Sequence, residues 1–209
     1  LGVIESSPER VEPPCPIHGE CGGCNLQHLS YDAQIREKAT ILRDIFRRTA
    51  HIDPGTVPVT VSIPFSYRNR VQLHFDPEGR IGFMRRFTNS IVTAMTCPVA
   101  VPSVRDWIEE RAGSSLAREE LRHFVTGKDR FIIFGQGRRV FVEGRHQRVE
   151  AEVAGVKLNF NIKGFFQSNL YLLDRLVPEV VAGLEGRVAA DLYAGVGLFG
   201  RFLGASFDR

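Results

Sequence analysis

Cys15-Pro16-Ile17-His18-Gly19-Glu20-Cys21-Gly22-Gly23-Cys24-Asn25-Leu26-Gln27-His28-Leu29-Ser30-Tyr31 is the stretch on which the reading of this chain turns. Its three cysteines stand at C-x5-C-x2-C, and the fourth cysteine of the chain, Cys97, comes just before Pro98. A C-x2-C pair lets two thiolates reach one centre from a tight turn. Gly22-Gly23 would supply the backbone freedom, positive φ included, that such wrapping needs. Four thiolates suit an iron–sulfur cluster or tetrahedral zinc, and ligand count does not separate the two. Disulfides would need an oxidising compartment, and no signal peptide or apolar spanning run is visible in the 209 residues. Unrelated buried thiols are the plain alternative. The crowding of Cys15, Cys21 and Cys24 among glycines and a proline argues against it.

C-x5-C-G-G-C followed by Gln27-His28, Tyr31, Gln34 and Lys38 resembles the S-adenosylmethionine-dependent RNA uracil-5-methyltransferases that carry a [4Fe-4S] cluster. The resemblance, not the spacing, tips zinc to iron–sulfur. It makes Cys15, Cys21, Cys24 and Cys97 the four cluster ligands, since Cys97 stands where the family's fourth comes.

The composition is that of an ordinary globular protein, 43% apolar and 24% charged, with material for one large or two modest domains. A net charge of +3 leans basic too weakly to prove a nucleic-acid partner. Fifteen phenylalanines point to an aromatic core. Both ends read as cut: Leu1 is not an initiator, and the sequence stops soon after a Gly-rich loop.

Residues 1–10 end in a Ser-Ser-Pro turn signal. By the resemblance they are the last strand of a TRAM-type RNA-binding barrel, or else a plain tail. Residues 11–16 should be extended. Tyr31–Thr49 reads as the clearest helix, with Ser30 as N-cap, Asp32 in the first turn, and Ile35, Ala39, Leu42, Ile45 and Phe46 at helical spacing. A linker runs from His51 to Val61. Tyr67–Phe75 then alternates Val71, Leu73 and Phe75 against Arg68, Arg70, Gln72 and His74. Asp76-Pro77-Glu78-Gly79 is a turn, Arg80–Arg86 the return strand and Ile91–Met95 a third. Arg68, Arg70, Arg80, Arg85 and Arg86 would make either a phosphate-binding face or an ordinary polar one. Tyr67-Arg68-Asn69-Arg70 resembles the family's motif beside the RNA path, which singles out Arg68 and Arg70.

Helices are expected over Val101–Gly113, with Trp107 on the core, and over Ser115–Phe124. Phe131–Phe134, Arg139–Glu143, Gln147–Val153 and Val156–Asn161 are short β-like runs forming a meander or paired hairpins. The central region is therefore α+β with a mainly antiparallel sheet.

Phe165-Phe166-Gln167-Ser168-Asn169 precedes an apolar helix, Leu170–Leu184, and Ser168 alone would serve as its N-cap. In the resembling family the Phe-x-Gln-x-Asn sequence borders the active cleft. The resemblance makes Gln167 a ligand of S-adenosylmethionine and Phe165 a stacking contact to RNA. Arg187–Tyr193 reads as a strand, followed by Ala194-Gly195-Val196-Gly197-Leu198-Phe199-Gly200. Strand, Gly-x-Gly and helix onset bring backbone close to a nucleotide-like ligand. The whole Asp-Leu-Tyr-Ala-Gly-Val-Gly-Leu-Phe-Gly resembles motif I of class I methyltransferases. Tyr193, Gly195 and Gly197 would line the cofactor and Asp191 would order the loop. Leu198, where several relatives have a polar residue, is left out.

The implied organisation is a barrel remnant at 1–10, a cluster-bearing RNA-binding domain at 11–163, and the opening of an α/β Rossmann-like methyltransferase domain at 164–209. The chemistry needs a cysteine thiolate at uracil C6 and a base for the C5 proton. With all four cysteines given to the cluster, no catalytic residue is expected in this chain. Only twelve residues follow Gly197, too few to close such a sheet, since a βαβ unit takes about 30. The fragment itself should be inactive. The parent protein would be a cytoplasmic, monomeric enzyme with no membrane partner, acting on tRNA or rRNA. The rival readings are a non-catalytic RNA-binding module with a four-cysteine zinc site, and an iron–sulfur electron carrier.

Overall fold

Val71, Leu73 and Phe75 are buried and Gln72 is exposed, so the alternating segment folds as a strand with one face on the core. In the computed structural model, which describes residues 3–125 and 129–208, this strand is β1 (Arg70–Phe75). Leu1 and Gly2 of the expected barrel remnant, and Arg209, lie outside the described residues. The chain divides into two compact units: Leu1–Val61 with Met84–Val92, and Ser62–Phe83 with Thr93–Arg209.

The main sheet has the order β3-β2-β1-β4-β5, with β2 at Ile81–Met84, β3 at Ile91–Thr93, β4 at Arg130–Gln136 and β5 at Arg139–Val142. β1 runs antiparallel to β2 and β4, with Leu73 opposite Phe131, and β4 pairs with β5. Helices α2 (Pro102–Glu109) and α3 (Leu116–Leu121) cover one face, each shorter than its sequence span suggested. Pro102 opens α2, where its missing N–H costs nothing. Phe131 stacks on Phe75 at 4.9 Å, and Trp107 meets Phe131 edge-on at 6.0 Å, on the core as expected.

The four β-like runs resolve as paired hairpins in two different sheets. β6 (Arg148–Val153) and β7 (Val156–Asn161) pair only with each other, in a separate two-stranded sheet. Their apolar face, Val149, Ala151, Val153, Leu158 and Phe160, joins a second core with Phe134 of β4. Helices α4 (Leu170–Val181) and α5 (Leu198–Leu203) contribute Leu173, Val177 and Leu198 to it. A hairpin alone is marginal in water, so this shared core is what holds β6 and β7.

Arg187–Tyr193 is not a strand. A parallel strand needs neighbours for its backbone groups, and among the described residues the only pairing here is an isolated bridge from Gly186 to Phe207. Val188, Leu192 and Tyr193 are exposed instead of buried. The antiparallel α+β part is therefore present as expected, whereas a Rossmann-like sheet is not seen over these residues.

At the β1–β2 turn, the Asp76 side chain is buried and accepts hydrogen bonds from the Arg80 backbone N–H at 2.8 Å and from Arg80 Nε at 2.7 Å. Burial alone would raise this carboxyl, but the hydrogen bonds and charge of Arg80 outweigh it and hold the group below its ordinary value. A lowered folded-state pKa gives stability above the unfolded aspartate value of about 3.9, lost as pH falls through the folded one. Asp76→Asn is expected to lower stability near neutral pH by about 1–2 kcal/mol. Urea titrations across the acid range should show that gap closing as pH drops.

In the first unit, α1 (Tyr31–Ile45) begins where Ser30 Oγ accepts the Ala33 N–H at 3.3 Å, as the sequence predicts. It continues through a π-helical turn, Phe46–Ala50, and stops at His51, whose φ is +56°. Residues 9–11 lie against the end of the cysteine loop: Val11 N–H donates to His28 at 2.9 Å and Ser30 N–H to Glu9 at 3.0 Å.

Candidate functional site

The cysteine loop is built around backbone pairing with Arg85 and Arg86. Gly22 N–H donates to the Met84 carbonyl at 2.9 Å, and Arg86 N–H to that of Glu20 at 2.7 Å. The Arg86 guanidinium also donates to the Cys24 carbonyl at 2.7 Å, and Arg85 pairs with the Glu20 carboxylate. These contacts correct the role expected of Gly22-Gly23. Neither has positive φ; the left-handed residue of the loop is Gly19, at +94°. Gly22 is needed for close approach, since a Cβ there would lie 3.3 Å from the Met84 carbonyl oxygen.

Cys15, Cys21 and Cys24 share this loop and unit, while Cys97 belongs to the other unit, half-buried against its core. Burial pushes the Cys15 thiol up, and the neighbouring Cys24 adds to the rise. Cys21 Sγ accepts the Gly23 N–H at 3.3 Å. Gln27 is 7% exposed, and neither its amide oxygen nor its nitrogen has a partner among the described residues; nor has His18 Nε2. Among the described residues no group of three or more His, Cys, Asp or Glu side chains stands in metal-binding geometry. The loop carries the following features of its own. It offers thiols near enough to feel each other's charge, an N–H aimed at a sulfur, and buried polar atoms without partners.

The arginines expected on one face separate. Arg80 is paired with Asp76 and Glu78, and Arg85 and Arg86 serve the cysteine loop. Arg68 and Arg70 stay together, because Arg68 Nε donates to the Arg70 carbonyl at 3.2 Å. Arg70 Nη2 reaches the Ile162 carbonyl at 3.5 Å. Burial draws the Arg70 guanidinium below its ordinary value, with Glu143 opposing. Between them Asn69 is buried with neither side-chain amide atom partnered among the described residues. Its backbone N–H donates to Ser168 at 3.0 Å, and its carbonyl accepts from Gly135 at 2.7 Å. This tie to the Phe165–Asn169 segment was not legible in the sequence, where Asn69 read only as a spacer.

Phe165 and Phe166 point opposite ways. Phe166 is buried and stacks on Phe160 at 4.6 Å, whereas Phe165 is 67% exposed, beside an exposed Gln167. The helix that follows is capped by Asn169, not Ser168: Asn169 Oδ1 accepts the Leu172 N–H at 3.1 Å. Asn and Ser serve about equally well as N-caps, so the helix start, one residue further along than expected, decides which of them caps it.

The two motif loops meet. A Cβ at Gly164 would lie 3.2 Å from Val196, and one at Gly195 would lie 3.3 Å from the Phe165 carbonyl oxygen. Gly195 and Gly197 have φ of +60° and +77°, and Tyr193 holds +59° although it is not glycine. A Cβ on Gly197 would enter open space. Asp191 Oδ2 accepts the Gly200 N–H at 3.1 Å, tying the loop to α5. The Phe165 and Gly195 loops thus lie in contact, and at Gly197 the backbone faces open space that a side chain would otherwise fill.

The homologues of the chain are RNA methyltransferases. No family model matches it. It is 32% identical to the tRNA (uracil(54)-C(5))-methyltransferase of Pyrococcus horikoshii, over 96% of the chain and 59% of that protein. It is also 29% identical to an uncharacterized RNA methyltransferase of Treponema denticola, over 96% of the chain and 51% of that protein. Among solved structures it is similar to the Pyrococcus abyssi tRNA (uracil-54, C5)-methyltransferase in complex with S-adenosyl-L-homocysteine. The TM-score is 0.67 at 26% identity, covering 95% of the chain and 57% of that protein. The chain thus spans little more than half the length of these relatives.

Proposed function

We propose that the chain is the RNA-facing and cofactor-entry part of an S-adenosylmethionine-dependent RNA uracil-5-methyltransferase, working as a cytoplasmic monomer on tRNA or rRNA. One observation carries the reading: the Phe165–Asn169 segment is laced to Arg68–Arg70 on one side and packed against the Gly195 loop on the other. That arrangement holds a phosphate-binding pair and a cofactor edge in one body. S-adenosylmethionine would supply the methyl sulfonium. Gln167 would hold its polar end, with Tyr193, Gly195 and Gly197 against it and Asp191 fixing the loop. Phe165 would stack on a base, and Arg68 and Arg70 would meet phosphates. Cys15, Cys21, Cys24 and, by its place in the sequence, Cys97 would hold a [4Fe-4S] cluster that staples the fold. No residue in either set is assigned as the nucleophile or the base.

Gln167→Ala is expected to weaken binding of S-adenosylhomocysteine about tenfold, by loss of a hydrogen bond to a polar group at about 1.4 kcal/mol. Asp191→Ala should cost less, about fivefold, because it loosens the loop without touching the ligand. Calorimetric titration reads both. A chain that binds RNA with stoichiometric zinc and no S-adenosylhomocysteine would replace this reading with a non-catalytic zinc module.

A further inference from the structure

The β4–β5 and β6–β7 hairpins enclose a groove of about 440 Å³, away from the loops described above. Its lining includes Gln136, Arg139, Phe141, Arg148, Glu150 and Asn159. The volume falls within the range of ligand sites, about 300–1,000 Å³. Its charge is positive: Arg139 and Arg148 have no carboxylate in ion-pair reach among the described residues, whereas Glu150 is paired with Lys157 at 3.4 Å.

The side chains are arranged, not merely present. The Arg139 guanidinium lies over the Phe141 ring at 5.1 Å, a planar cation fixed on an aromatic face. Arg148 is aimed by two hydrogen bonds to Asn159, Nε to Oδ1 at 2.6 Å and Nη2 to the backbone carbonyl at 3.0 Å. Because Asn159 Oδ1 is the acceptor, its NH₂ group is left to donate elsewhere. Gln136 adds a second amide. Stacking surface, fixed guanidinium and amide donors are the set that reads unstacked bases and their phosphates.

The register gives the groove a direction. Arg148 stands opposite Asn161, the last residue of β7, and the next residue, Ile162, carries the carbonyl that Arg70 touches. We infer that this groove holds a single-stranded stretch of the substrate RNA and leads it toward Arg70 and the Phe165–Gln167 segment. The inference rests on the function proposed above, and extends the RNA path to residues outside the motifs.

The test uses the full chain and a short uridine-rich single-stranded RNA oligonucleotide, with Kd measured over a salt series. Arg139→Gln with Arg148→Gln is expected to weaken binding about tenfold, the scale of one lost stacking contact. The salt slope should fall by about 1.4, about 0.7 for each phosphate contact on a single strand. Both side chains are exposed, so circular dichroism should be unchanged. If this double variant matches wild type while Arg68→Gln with Arg70→Gln loses binding, the groove assignment falls and the methyltransferase reading stands. If the wild-type chain binds no RNA, both fall. Polyglutamate competing as well as RNA would make the groove a general anion surface and overturn the assignment.

Discussion

Gly144→Ala is expected to destabilise the second unit by on the order of 3–5 kcal/mol, enough to unfold a marginal domain. Gly144 sits at φ +87°, and a Cβ built there would lie 2.2 Å from the Phe124 carbonyl oxygen and 2.7 Å from its carbon. The obstacle is backbone, so no rotamer change relieves it. The left-handed conformation adds about 1–2 kcal/mol for an L-residue. Gly155 supplies the control, with φ +77° and nothing within 4 Å of the added Cβ. Gly155→Ala should show the conformational cost alone. Urea denaturation of both variants separates the two terms, and equal midpoints would remove the steric one.

If the Cys15–Cys24 loop holds the proposed cluster, removing it is expected to unfold the first unit while leaving the second intact. The first unit has little core to fall back on: its buried apolar residues among those described are Ala33 and Val92. Leu42, Ile45 and Phe46 of α1 and its π turn are exposed, although their spacing predicts a helix face for packing, and Ile41 is exposed beside them. A segment with so little apolar burial needs a staple. Sulfur–metal bonds in the Cys15–Cys24 loop would provide it, and metal-binding free energy then becomes folding free energy. Hydrogen exchange after anaerobic chelation, or in Cys24→Ser, should show residues 15–31 losing protection by several orders of magnitude. Residues of β1 and β4 should keep theirs. Unchanged protection in the loop would remove the proposed centre's structural role. An anaerobic preparation rich in iron, with broad visible absorption, distinguishes the cluster from zinc.

Local patterns were the legible part of this fold. Val71, Leu73 and Phe75 announce a half-buried strand, Ser30 announces a helix start, and Asp76-Pro77-Glu78-Gly79 announces the turn between β1 and β2. Partner choice was not legible. β4–β5 and β6–β7 look alike as short runs between glycine turns, and only the strand pairing shows that the second pair forms its own sheet, with Phe134 packed edge-on to Phe160. Arg85 and Arg86 read as members of a basic face, yet their partners, Glu20 and the Cys24 carbonyl, lie more than sixty residues away. Arg187–Tyr193 has the residue content of a strand, but strand formation depends on neighbours that its own sequence does not encode. At the candidate site the motifs named Gln167, Gly195 and Asp191. They could not name Asn69, whose importance is its burial.

The adjacent aromatics Phe165 and Phe166 divide two tasks between neighbouring residues. The inward ring is held by Phe160, and Phe160 by Phe134, so the outward ring and Gln167 inherit their position from a row of side chains that no solute can reach. Drift in the hydrocarbon shape of that row would therefore surface as a shift of Phe165 and Gln167 at the proposed cofactor edge, with every polar contact left in place.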